Sequence, residues 1–235
     1  MISIRNYLYK NMFDSNKRVI IKKKKLLISK NIVNNFKYLQ LHKFGPKNKK
    51  KIFYVIQRRI GGGLFSNLLF VLNHLVISDK LKLVPVVDMQ NFEGFYNEKL
   101  KVNKTLNAWE YYFNQISNHK LENVYKSKNV IISGNFTFKN YKYRAFRKYS
   151  DILKVYKKYI TINEKILNEA NKIYNDLKIS NQDTIGLHWR GTDHKYLPNH
   201  PQPPTRNQIF SRVDYIFKNK NIKKVFLVTE DPNYL

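Results

Sequence analysis

Hydrophobic positions along this chain recur with two different periods, and segments of the two kinds alternate. Lys51 to Gln57 is a short run rich in β-branched and aromatic residues, the composition of a buried strand. Gly61, Gly62 and Gly63 follow, and from Ser66 the residues Leu68, Leu69, Leu72, Leu75 and Val76 recur at helical spacing. Leu83 to Val87 predicts a second strand, ending in Asp88. Ala108 to Ile116 predicts a helix with Trp109, Tyr112 and Phe113 on one face, read as core, and Val130 to Ser133 predicts a third strand. An amphipathic helix is expected over 163–177, carried by Ile166, Leu167, Ala170, Ile173, Tyr174 and Leu177. Thr161 stands three residues before Glu164, the spacing of a capping box. A strand over 184–188, a long loop to Thr205, a helix over 206–218 and a strand over 224–228 complete the series.

Strands alternating with helices imply an α/β fold with parallel sheets. Two such series, separated near residue 150, suggest two Rossmann-like halves: an N-terminal domain over 51–150 and a second over 151–235. Residues 1–50 read as a basic arm with lysine runs at Lys22–Lys25 and Lys49–Lys51 and a single acid, Asp14, and Phe44-Gly45-Pro46 reads as a linker break.

Composition narrows the function classes. The chain has no cysteine, which removes thiol nucleophiles, disulfides and zinc–thiolate sites. It has no apolar run near the length of a bilayer span and no secretory-signal pattern at its start, so a cytoplasmic protein, at most peripheral to the membrane, is expected. The net charge of +28 is the footprint of a polyanion partner. Nucleic-acid binding is the rival reading on that ground. It lacks support from any zinc spacing, RNP-like aromatic strand or recognition helix. Anionic phospholipid headgroups are the preferred polyanion.

The candidate chemistry lies at strand ends, where ligands sit in open α/β sheets. The run IGLHWRGTD, Ile185 to Asp193, passes from apolar residues to His188, Trp189 and Arg190 and then a Gly-Thr turn. A guanidinium fork there suits a phosphate; the alternative is a solvent-facing arginine paired with Asp193. His188 lies on the same side of the strand as Arg190 and either orients it or is a satisfied buried histidine. Glu230 and Asp231 end the 224–228 strand, either as hydrogen-bond acceptors for a ligand or as an N-cap. The glycine run before a helix is the plan of an anion-binding turn, or simply of a tight turn. His200 and Arg206 are candidates in the proline-rich loop. No Asp-x-Asp pair occurs, and Asp79, Asp88 and Asp183 stand alone, so no metal is expected.

The 185–193 segment resembles the donor motif of the fucosyltransferase superfamily that includes the α-1,6-fucosyltransferases, the protein O-fucosyltransferases and the nodulation fucosyltransferases. The matching residues are His188, Arg190 and Asp193. GGGLFSNLL (Gly61–Leu69) with VPVVDM (Val84–Met89), NAWEYYFNQIS (Asn107–Ser117) and VFLVTEDP (Val225–Pro232) resemble pieces of the bacterial branch in the same order, over about residues 52–235. The chain departs from the pattern in having Gly191 where many relatives carry a second arginine, and His194 before Lys195. Relatives also continue past the second donor strand, so the resemblance implies an incomplete C-terminal half.

The resemblance implies a GT-B plan, two Rossmann-like halves facing a cleft, and an inverting, metal-independent transfer of fucose from GDP-fucose to a glycan hydroxyl. No separate cofactor is implied. The donor would meet His188, Arg190, Gly191, Thr192, Glu230 and Asp231 from one half and Gly62, Gly63 and Asn67 from the other. Arg190, Asp193 and Asp88 are the catalytic candidates, with Asp88, ahead of Glu93 and Glu98, as acceptor base. The acceptor would be a glycan, free or lipid-linked. A catalytically inactive relative is the further alternative.

Overall fold

The computed structural model describes residues 40–58, 62–133, 149–190 and 202–230. It is a mixed α/β structure with small parallel sheets, and the chain divides into two compact units, Met1–Ile166 and Leu167–Leu235.

The first unit is built on a four-stranded sheet. Its strands are β1 (Gln40–His42), β2 (Phe53–Ile56), β3 (Val84–Val87) and β4 (Val130–Ile132), in the order β1-β4-β2-β3. β2 runs parallel to both neighbours, and β1 is antiparallel to β4. β2 is the apolar centre, and its alternation decides the two layers. Tyr54 and Ile56 pack with Phe70, Val71 and Leu75 of helix α1 (Leu64–Lys80). Phe53 and Val55 pack on the other face with Val86, Phe92, Val124 and Tyr125, which helix α2 (Leu121–Val124) helps to supply. Pro85, opposite Tyr54, is tolerated because β3 is an outer strand and needs no donor on its far side.

Three expectations need correction. First, the basic arm does not extend to residue 50. β1 pairs with β4, Lys47 bridges Ser127, and Gly45 N–H donates to Ser127 O. Gly45 is therefore a closure rather than a linker. A Cβ there would lie 2.6 Å from the Lys126 carbonyl oxygen. Gly45→Ala should lower stability by about 1–3 kcal/mol because backbone must move to admit the methyl; an unchanged urea midpoint would refute the close packing. Second, the break near residue 150 lies later. Helix α3 (Tyr149–Tyr159) belongs to the first unit, where Val155 is buried and Asp79 of α1 takes Lys154, Lys158 and the Tyr159 hydroxyl. The Lys158 hydrogen bond, ahead of the other neighbours, holds the Asp79 carboxyl below its ordinary range.

Third, 108–116 is not a helix. Only a 3-10 turn, Ala108–Tyr111, forms, and Phe113 instead bridges Ile162. Trp109 and Phe113 still stack in the core, 4.5 Å apart, as their spacing predicts. The polar residues of this stretch explain the departure. Gln115 accepts from Val87 N–H and donates to Val87 O, as a neighbouring strand would, and Asn107 donates to Val87 O and accepts from Met89 N–H. Side-chain amides thus occupy the end of β3, and the backbone follows them.

Helix α4 (Glu164–Asp176) straddles the division between the units. Its start is marked by Asn163, whose Oδ1 accepts from Lys165 N–H, rather than by a Thr161 box. In the second unit β5 (Thr184–Trp189) and β6 (Lys224–Thr229) pair in parallel, and helix α5 (Arg206–Asn219) connects them. Thr205 and Gln208 form a capping box at its start. Trp189 and Ile209 are the buried residues of this small layer, with Phe210 set edge-on to the indole.

Candidate functional site

The second unit brings three of the expected residues together. Parallel pairing sets Trp189 beside Thr229, so the residues that follow each strand emerge side by side at the carboxyl end. Trp189 turns inward, and alternation sends His188 outward, where its side chain is 63% exposed. Arg190 Nε lies 3.4 Å from Glu230 Oε1, and His188 Nε2 lies 3.8 Å from Glu230 Oε2. One carboxylate thus faces both an imidazole and a guanidinium at a half-exposed strand end. His188 is accordingly not a buried core histidine. Glu230 partly neutralises the arginine and holds it at the mouth, while leaving it accessible to an anion. An anion arriving there meets an oriented donor fork; a neutral ligand meets an acceptor flanked by two donors.

Arg206 is the first residue of α5 and is exposed. Gly191, Thr192, Asp193, His200 and Asp231 lie outside the described residues.

The carboxyl end of the first unit's sheet holds a second group. Gly63 is the N-cap of α1, and Leu64 N–H donates to the Tyr96 hydroxyl at 3.1 Å. Asn67 donates from Nδ2 to Gly62 O, while its buried Oδ1 has no hydrogen-bond partner among the described residues. Asn67 shares a shallow depression with Leu64, Met89, Tyr96, Trp109 and Tyr112. Arg58, which the sequence reading passed over, folds back on the first turn of α1. Its guanidinium donates to Ser66 O at 2.6 Å and to Ser66 Oγ at 3.2 Å, and it lies 5.0 Å from the Phe70 ring centre. The guanidinium passes close over Gly62, where a Cβ would lie 2.9 Å from Arg58 Nη2 and would push the flexible side chain aside. The available signal was a pair of arginines, Arg58 and Arg59, one residue short of a glycine run.

Asp88 is also at this end, but not as an accessible base. It is 0% exposed, and its carboxylate accepts from the Gln90 and Asn91 backbone, Asn91 Nδ2 and the Tyr125 hydroxyl. Burial pushes its carboxyl upward, while these hydrogen bonds pull the other way. The arrangement holds the turn after β3 and leaves no oxygen facing a substrate hydroxyl. Glu93 and Glu98 are exposed on the following loop. Among the described residues no three histidines or carboxylates converge as a metal site. No helix among them is long and apolar enough to cross a membrane. Comparison with protein-family models and with curated proteins yields no match.

Proposed function

We propose that this chain is a glycosyltransferase of the fucosyltransferase kind, moving fucose from GDP-fucose to a glycan hydroxyl with inversion and without a metal. The observation that supports it is the meeting of His188, Arg190 and Glu230 at the adjoining carboxyl ends of β5 and β6. In this reading Arg190 binds the diphosphate and stabilises it as it departs, the work a divalent ion does in other transferases. Glu230 orients Arg190 and also offers its carboxylate to the ribose or base of the nucleotide. His188 completes the polar wall. The first unit, which carries Gly62, Gly63 and Asn67, takes the acceptor. Asp88 serves there as a support for the turn, so the acceptor base is a different group.

The test is calorimetric titration of the full chain with GDP, GDP-fucose and nucleotide sugars carrying other bases. GDP and GDP-fucose should bind, and the others should bind at least tenfold more weakly. Arg190→Ala should weaken GDP by about 10- to 100-fold, the loss of a charged hydrogen bond. No preference for guanine nucleotides, or an unchanged GDP affinity in folded Arg190→Ala, would defeat the assignment.

A further inference from the structure

Two segments far apart in sequence meet at the amino-terminal edge of the first unit's sheet, the end opposite Gln57, Asp88 and the glycine turn. Lys47 N–H donates to Lys126 O, Lys128 N–H donates to Lys47 O, and Asn129 Nδ2 donates to Lys49 O. Asn48 reaches Ser127 Oγ from a left-handed backbone with φ of 50°. This lacing fixes Lys47, Lys49 and Lys50 beside Lys120, Lys126 and Lys128, and all six side chains are exposed. Residues 45–51 and 119–129 together contain one acid, Glu122, which Lys126 pairs and which also feels Lys47 and Lys120. So many like charges repel one another in the folded state, a cost that a counter-charged surface removes.

We propose that this edge is a docking face for an anionic lipid bilayer. The lysine-only chemistry favours lipid over nucleic acid. The two segments contain no arginine fork to read bases or grip single phosphates. Their aromatic residues do not form a stacking platform either: Tyr125 is buried, and His119 is half-buried against Lys51 and the neighbouring, buried Phe53. Several ammonium groups on one rigid edge instead sum their attraction to a charged plane. The proposal does not rest on the transferase reading, because the six lysines lie at the other end of the sheet from the acceptor-side residues.

The experiment is sedimentation of the full chain with vesicles of phosphatidylcholine alone or mixed with phosphatidylglycerol, at low and high salt. Wild-type protein should sediment only with the anionic vesicles. A variant carrying Lys49→Glu, Lys50→Glu, Lys120→Glu and Lys128→Glu should lose about a hundredfold in partitioning at low salt. A control reversing Lys172, Lys218, Lys220 and Lys223 of the second unit should lose less than tenfold. If the glutamate variant fails to fold, the same four positions as glutamine should still lose at least tenfold. Absence of anionic-vesicle binding by the wild type, equal losses in variant and control, or unchanged binding in the variant each overturn the proposal. So does retention of single- or double-stranded oligonucleotides at a salt where vesicles are ignored, abolished by the same four changes; that result would assign the edge to nucleic acid.

Discussion

Lowering the pH from 6.5 to 4.5 should cost the first unit about 2 kcal/mol of stability in total through His74 alone. His74 lies inside α1, is 3% exposed, and shares a 2.7 Å hydrogen bond with the hydroxyl of Tyr54 from β2. Burial lowers its pKa from 6.5 to about 3. Between those values the unfolded chain binds a proton that the native state refuses, so protonation draws the equilibrium toward unfolding as pH falls. The stabilisation is complete above pH 6.5 and is lost progressively toward pH 3. His42, also lowered by burial, acts in the same direction, whereas the stabilisation from Asp79 is present above its ordinary value near 3.8 and is lost only below it. Urea unfolding at pH 6.5, 5.5 and 4.5 should therefore show a steeper pH dependence for wild type than for His74→Gln, by about the stated amount over the whole range. Equal slopes would mean that His74 is protonated in the folded protein.

Asp88→Ala should lower stability by about 3–5 kcal/mol, whether or not a substrate is present. The substitution leaves the Gln90 and Asn91 backbone amides, Asn91 Nδ2 and the buried Tyr125 hydroxyl without their acceptor. An unsatisfied buried donor costs about 1–3 kcal/mol, and four donors lose their acceptor at once, the Tyr125 hydroxyl being the most deeply buried. Asp88→Asn should be milder, since its remaining carbonyl can still accept from the two backbone amides. The comparison separates support from chemistry. A fully stable Asp88→Ala protein that loses only turnover would restore the base role expected from the sequence.

Much of the fold was legible because the local period decided it. β2, β3, β5 and β6 fall within or one residue beyond the predicted runs, and the helices α4 and α5 match their apolar spacing to within a residue. What escaped depended on partners distant in sequence. The 40–50 stretch reads as a charged arm because its register with 126–132 is set some 80 residues away, by the Lys47–Ser127 bridge and the β1–β4 pairing. The 108–116 stretch has helical spacing, yet Asn107 and Gln115 do more for β3 than they could on a helix face. The candidate site divides in the same manner. His188, Arg190 and Glu230 were readable because both strand ends are marked by apolar runs that stop, and parallel register does the rest. Arg58 was not, since its role depends on the carbonyl of Ser66.

The short β5–β6 pair bears on how the protein behaves when concentrated. Among the described residues each of these strands has a strand neighbour on one side only. The outer flank of β6 carries the run Val225-Phe226-Leu227-Val228, uncharged and rich in β-branched residues. Such a flank is a template for the same segment of another molecule. Lys223 and Lys224 at one end and Glu230 at the other set charge beside that run, and like charge on approaching copies opposes such stacking, so replacing all three with uncharged residues should raise concentration-dependent light scattering.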